Sequence, residues 1–179
     1  MSHSRKVVVF IAPSLDGFIA RENGEVNWLY NIEGEGDNGY SDFYHTVDTV
    51  LMGHKTYLEL LNFDIPFPYS DKACYVFSKT EESKNNDVTF INENIEFFVQ
   101  ELLKNEGKNI WLVGGGELIT SFLKTGLIDE IIVTIAPVIL GKGIPLFKEG
   151  LEEHFLQLIS VQQFGQFVEL HYRVIKEER

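Results

Sequence analysis

Ile110-Trp111-Leu112-Val113-Gly114-Gly115-Gly116-Glu117-Leu118-Ile119 is the stretch on which the reading of this chain turns. A four-residue apolar run predicts a buried strand. Three glycines then turn the chain abruptly, and Leu118, Ile119, Phe122 and Leu123 recur at helical spacing up to a stop at Gly126. A helix that starts on glycines leaves its first amide N–H groups open to an anion, and the missing side chains let a phosphate come close. The motif is neither G-x-G-x-x-G nor a P-loop, because the Lys and Ser/Thr of the latter are missing. Alone, it reads equally well as a tight strand-to-helix turn with no ligand.

Working outward, residues 49–52 form a second short apolar strand ending at Gly53, and residues 55–61 a helix closed before Pro66 and Pro68. Ala73–Phe77 and residues 88–91 read as strands. Residues 95–105 are the clearest amphipathic helix, with Ile95, Phe98, Val99, Leu102 and Leu103 on one face, and residues 131–135 are the next strand. This alternation predicts crossover units on a largely parallel sheet. Residues 6–12 add a β-branched run that suits a strand buried on both faces. Residues 14–38 are dense in turn formers around a short extended piece, Phe18–Ala20, and residues 40–47 have helical spacing. Residues 155–163 and 166–176, joined at Phe164-Gly165, predict an antiparallel hairpin at the end of the chain.

With 179 residues, 44% of them hydrophobic and 23% charged, residues 1–179 are expected to fold as one domain. A formal charge of −12 argues against nucleic acid and anionic membrane as partners, so any phosphate site must be built locally. The lone Cys74, inside the apolar run of residues 73–77, reads as a buried small hydrophobe. His3, His45, His54, His154 and His171 show no metal-ligand spacing, so no metal is expected. With no cysteine pair, no apolar run of membrane-spanning length and no leader pattern, the expected location is cytoplasmic.

Five segments, taken together and in order, resemble the dihydrofolate reductase fold, and more closely its branch containing the reductase domain of bacterial riboflavin biosynthesis. They are Ser14-Leu15-Asp16-Gly17-Phe18-Ile19-Ala20, Val50-Leu51-Met52-Gly53-His54-Lys55-Thr56-Tyr57, Tyr75-Val76-Phe77-Ser78, Val113-Gly114-Gly115-Gly116-Glu117-Leu118 and Ala136-Pro137-Val138-Ile139-Leu140-Gly141-Lys142-Gly143. The resemblance implies a three-layer α/β architecture: a mixed, mostly parallel sheet, helices on both faces, a C-terminal antiparallel hairpin, and NADPH laid across the strand ends. It implies that Gly53, His54, Lys55 and Thr56 open a helix beneath the cofactor phosphates and that Ser78 and Lys79 lie near the adenosine phosphate. Gly114, Gly115, Gly116, Glu117 and Leu118 would cradle the pyrophosphate, and Ala12 and Ile19 would line the nicotinamide. It further implies a cis peptide bond between Gly114 and Gly115, and a homodimer whose interface no sequence feature fixes.

The chain departs from folate reductases at His54 and Glu117, where basic residues are common; Lys55, Lys79 or Lys84 are candidates to compensate. Asp42 is the nearest match to the acid that holds the pterin, with Asp48 a poorer one, and Thr134 matches another pterin-side position. Trp28 and Phe43 are candidates for an aromatic wall against a flat heterocycle; each also reads as core filling. The expected function is NADPH-dependent reduction of a C=N or C=O group in a pterin-like or ribosylaminopyrimidine-like substrate, with water or Asp42 supplying the proton. A nucleotide-responsive binding protein with little catalysis stays open as the alternative.

Overall fold

A computed structural model describes residues 4–63, 65–80 and 86–176. Lys84 and His3 lie outside the described residues. The chain runs β1 (Val7–Ile11), β2 (Phe18–Ala20), a 3-10 turn (Asn27–Asn31), α1 (Tyr40–His45), β3 (Val47–Gly53), α2 (His54–Leu61), β4 (Ala73–Phe77), β5 (Thr89–Ile91), α3 (Ile95–Lys104), β6 (Asn109–Gly114), α4 (Gly116–Lys124), β7 (Glu130–Ile135), β8 (Ile144–Pro145), β9 (Leu156–Phe164) and β10 (Phe167–Val174). The expected α/β architecture is the one observed. An eight-stranded sheet has the order β5-β4-β3-β6-β1-β7-β10-β9; β5 through β7 are parallel to one another, β10 runs antiparallel to β7 and β9 antiparallel to β10.

Alternation along the central strands explains their unbroken apolar sequences. Val7, Val9, Leu51, Ile110 and Leu112 face α3 and α4, packing with Val99, Ile119 and Phe122. Val8, Val50, Met52 and Trp111 face the other way, toward Phe43 of α1 and Tyr57 of α2. A strand covered by helices on both sides has no polar face to show in its sequence. Cys74 belongs to the second layer; burial pushes its thiol up to about 12, which leaves it a packing residue.

Two features differ from the sequence expectation. Strand β3 begins at Val47, so Asp48 lies within the sheet, and its carboxylate joins Arg5 at 2.5 Å and the amide of Lys108 at 2.8 Å. The second is β8, which pairs with β2 in a separate two-stranded sheet. Two residues containing a proline carry no periodic signal.

The Arg5 guanidinium is nearly sealed, its side chain 6% exposed, and also donates to the Thr49 hydroxyl and the carbonyls of Lys108 and Leu102. Asp48 is therefore a structural counter-ion. Removing it strands a buried charge, a loss tempered by the 39% exposure of the Asp48 side chain. Asp48→Ala is expected to lower the unfolding free energy in urea by about 2 kcal/mol, with Asp48→Asn losing less; a loss below about 0.5 kcal/mol would contradict this role.

Candidate functional site

The parallel strands end together at one edge of the sheet, and a cleft of ≈ 1110 Å³ opens there. The chain lays β3, β4 and β5 outward from β1, then returns to insert β6 between β3 and β1. The loops after β3 and β6 thus diverge on either side of a crevice, where ligands of open α/β sheets bind. From the end of β1 come Phe10, Ile11 and Ala12; from β2, Ile19; from the start of α2, Gly53, His54, Lys55 and Thr56. Phe77, Ser78 and Lys79 follow β4, and Gly115, Gly116, Glu117 and Leu118 open α4. Gly114 lies buried behind this lining.

Helices α2 and α4 begin differently from α3, whose first residue, Ile95, also reaches the cleft lining. In α3 the Asn94 side chain accepts the Phe97 amide at 2.9 Å. In α2 and α4 the cap positions are Gly53 and Gly115, and neither supplies a side-chain cap. Their first-turn amides are left for solvent or a ligand. The Gly114–Gly115 peptide bond is cis, as the resemblance implied, and Gly114 has φ +128°, a region L side chains rarely adopt. At Gly116 an added Cβ would stand 2.6 Å from the Pro145 carbonyl oxygen.

Charge in the cleft is nearly balanced. Lys55, Lys79 and Lys148 line it together with Glu22, Glu59, Glu93 and Glu117. Lys148 donates to Glu117 at 2.9 Å, and this bond holds the Glu117 carboxyl below the usual range. The His54 ring packs edge-on against Phe90, with centroids 6.4 Å apart. The Ser78 hydroxyl donates to the Thr80 carbonyl at 2.9 Å, shaping a tight turn beside Lys79.

One clamp escaped sequence reading. Asp16, a turn former by sequence, accepts the Ser14 hydroxyl at 2.6 Å and the amides of Leu140 and Gly141 at 3.1 and 2.7 Å. These bonds, the Ser14 hydroxyl foremost, hold its carboxyl below the usual range. The β1–β2 loop is thereby tied to the loop before β8. The Asp16-Gly17 pair was visible, but Leu140 and Gly141 stand more than a hundred residues away.

The remaining candidates lie outside the cleft lining. Trp28 is buried against Ala136 and Phe167. Phe43 stacks on Phe10, with centroids 4.2 Å apart and planes at 7°, and meets Trp111 edge-on. The two rings belong to separate apolar clusters and do not form one wall. Asp42 is exposed and, with Phe43, borders a smaller recess. Thr134 is buried, its hydroxyl 3.5 Å from a carboxylate oxygen of Glu169, which sequence reading did not single out. Among the described residues, no group of His, Cys, Asp and Glu is arranged to hold a metal, and no helix is long and apolar enough to cross a membrane.

Comparison with known proteins gives this geometry its relatives. The uncharacterized protein YwjB of Bacillus subtilis is 53% identical over 169 residues, covering 94% of this chain and 97% of that protein. A crystal structure of a Shewanella sp. PV-4 protein, provisionally assigned to riboflavin biosynthesis, superposes with a TM-score of 0.86 at 31% identity, covering 96% of this chain and 99% of the other. The dihydrofolate reductase of Enterococcus faecalis, complexed with NADP(H), shares the fold at a TM-score of 0.64 and 13% identity, covering 97% of this chain and 99% of its own. The model of the RibD C-terminal domain matches residues 67–170, more than half of the sequence. By that match and the full-length likeness to the Shewanella protein, the chain belongs to the RibD C-terminal domain family, built on the fold of dihydrofolate reductase.

Proposed function

We propose that this protein is an NADPH-dependent reductase of a small heterocyclic substrate, pterin-like or ribosylaminopyrimidine-like. The observation that carries the reading is the cleft bounded by the two side-chain-uncapped helix starts, at Gly53 and Gly115, with bare backbone between them. The residues fit a dinucleotide. Backbone amides of residues 54–56 and 116–118 would take phosphate oxygens, and the exposed Lys55 and Lys79 would add charge at the adenosine end. Ala12 and Ile19 offer a small and an apolar surface to a flat ring.

The cofactor, when bound, supplies the hydride. The protein's share is orientation and exclusion of water. Ile11, Ala12, Ile19, Ala20 and Leu118 give the inner end of the cleft an apolar lining. The Asp16 clamp holds the two loops flanking that end together. Water or Asp42 would donate the proton; Asp42, exposed at the border of the neighbouring recess, would have to reach the substrate from the side. That remoteness favours one second reading, a nucleotide-responsive binding protein with the same pocket and little turnover. A cytoplasmic site of action completes the first reading.

We also propose a homodimer formed through β9. This edge strand has no charged residue over Leu156–Phe164, and Leu156, Leu158 and Val161 are 40%, 52% and 55% exposed. An uncharged apolar edge is ordinarily protected or paired. A second copy of a chain carrying −12 brings no like charge to that strand.

Titration with NADPH and NADH, followed by tryptophan quenching and nicotinamide emission, is expected to give a dissociation constant in the micromolar range for NADPH, about −8 kcal/mol, and weaker binding of NADH. Binding of neither would sink the reductase reading, and tight binding without turnover of any pterin or aminopyrimidine would favour the second. A Cβ at position 115 would stand 3.4 Å from the Thr56 hydroxyl, tight but tolerable for the fold. Gly115→Ala is therefore expected to weaken NADPH about tenfold, roughly 1.4 kcal/mol, with the thermal midpoint nearly unchanged; undiminished affinity would remove the glycine turn from the site.

For the dimer, sedimentation velocity of the wild type against Leu158→Lys is the check. A dimer converted to monomer is expected, and a wild-type monomer at micromolar concentration would refute the interface.

A further inference from the structure

Lys148 enters the large cleft from the segment after β8, and the fold fixes where it stands. Pro145 packs its carbonyl against Gly116 at the start of α4. Leu146 is buried, its amide on the Gly17 carbonyl at 2.9 Å, and the Lys148 amide donates to the Thr120 hydroxyl of α4 at 3.3 Å. Of the lysines that line the cleft, Lys55 and Lys79 are exposed, whereas Lys148 is half-buried, its side chain 38% exposed. A lysine already ordered by packing loses less entropy on meeting a ligand than one that moves freely in solvent.

Its partner within the chain is Glu117. The ammonium donates to this carboxylate at 2.9 Å, and Lys55, from the first turn of α2, acts on the same group; the bond from Lys148 is the main reason the Glu117 carboxyl lies below its usual range. The Glu117 side chain is 85% exposed. An ion pair with one member so open to water is weak, because solvent screens it and the carboxylate stays hydrated when it turns away. Glu117 also stands in the first turn of α4, where the cap residue Gly115 supplies no side-chain bond, so ammonium, carboxylate and open amides share one corner of the cleft.

We propose that Lys148 is a ligand of the cofactor's diphosphate and that Glu117 competes with the cofactor for it: an arriving diphosphate takes the lysine over, and the displaced carboxylate turns into solvent. The identity of the diphosphate rests on the reductase reading. The exchange runs forward because a dinucleotide's diphosphate brings two charges and several acceptor oxygens to the ammonium and the α4 amides together, while Glu117 brings one charge on an exposed side chain. Lysine suits the task, as a point charge that passes between acceptors without the fixed fork of an arginine. An internal competitor of this kind weakens every diphosphate ligand by the same factor. Glu117 thus sets how tightly the cofactor is held without itself binding it.

The experiment titrates the full chain with NADPH, NADH and inorganic pyrophosphate, comparing wild type with Lys148→Gln, Lys148→Arg, Glu117→Gln and the double variant Glu117→Gln/Lys148→Gln. Circular dichroism and thermal midpoints check the fold. Lys148→Gln is expected to weaken NADPH and NADH alike by about tenfold, and Lys148→Arg to stay within about threefold of wild type. Glu117→Gln is expected to bind both dinucleotides about fivefold more tightly. The lysine matters more once its competitor is gone: in the Glu117→Gln background, loss of Lys148 is expected to weaken binding about thirtyfold, and Glu117→Gln gains less than about twofold where Lys148 is absent.

The sign of the Glu117 effect is the readout that a merely structural role would not give. A pair that only stapled the segment after β8 to α4 would weaken binding when either partner was removed. Glu117→Gln that weakens NADPH or leaves it unchanged would therefore overturn the exchange. A loss in Lys148→Gln confined to NADPH would put the lysine on the 2′-phosphate and overturn the diphosphate assignment. NADPH binding that neither substitution moves would overturn the whole proposal and leave the reductase reading intact. Pyrophosphate binding that follows the expected pattern, with no affinity for either dinucleotide, would uphold the lysine's diphosphate site and bring down the reductase reading instead.

Discussion

The close approach of Gly116 to the Pro145 carbonyl organises the mouth of the cleft. Because no side chain intervenes, α4 starts directly beneath β8, and β8 in turn pairs with β2. The Leu146 amide donates to the Gly17 carbonyl at 2.9 Å, and Asp16 reaches the amides of Leu140 and Gly141. The helix start, the small sheet and both flanking loops are thus one hydrogen-bonded body. A loop on its own would lose its ordering entropy each time a ligand bound; here much of that cost is met by the fold. The residue that allows the arrangement has no side chain to signal it.

Electrostatics reinforce the case for directional binding. A chain with a net charge of −12 repels a polyphosphate at long range, and the cleft's own lysines and glutamates nearly cancel. In the proposed binding mode, attraction would come from amides at short range. Glu117 in the first turn of α4 sharpens this point, since a carboxylate there stabilises the helix but competes with an anion for the same amides. Lys148, drawn from the segment after β8, engages that carboxylate. The same contact that shapes the cleft mouth brings this cation into place.

Periodicity and punctuation made most of the architecture legible. The central strands betray themselves as continuous apolar runs because both faces are covered, and α3 because only one of its faces is. What stayed hidden was whatever depended on distant partners. Asp48 was the poorer of two matches to a substrate-side acid in sequence, and the partner that fixes its place, Arg5, is supplied by the residues leading into β1, forty-three positions away. Strand β8 had too few residues to show a period, and Glu169 sat unremarked in an alternating strand because its environment is made by Thr134 on β7. The clustering of the cofactor-side candidates was legible, since all but Gly114 line one cleft at the strand ends. The placing of Trp28, Asp42, Phe43 and Thr134 outside that lining was not, since packing of the loop, α1 and the C-terminal strands decides what each of them meets.

The hairpin shows how one irregularity divides labour between the faces of a sheet. Ser160 pairs with His171 and Leu158 with Tyr172, so Ile159 is an extra residue and the register shifts there. Were Ile159 paired regularly instead of bulged, it would take Tyr172 and Leu158 would pair with Arg173, on the face of Glu169 and His171. With the bulge, Leu156, Leu158 and Val161 gather opposite Val174, Tyr172 and Leu170 on one side, while Ser160 and Gln162 stay with His171 and Glu169 on the other. An apolar surface and a polar recess therefore share two strands without mixing. The bulge absorbs Ile159, so the pairs on either side of it keep their faces.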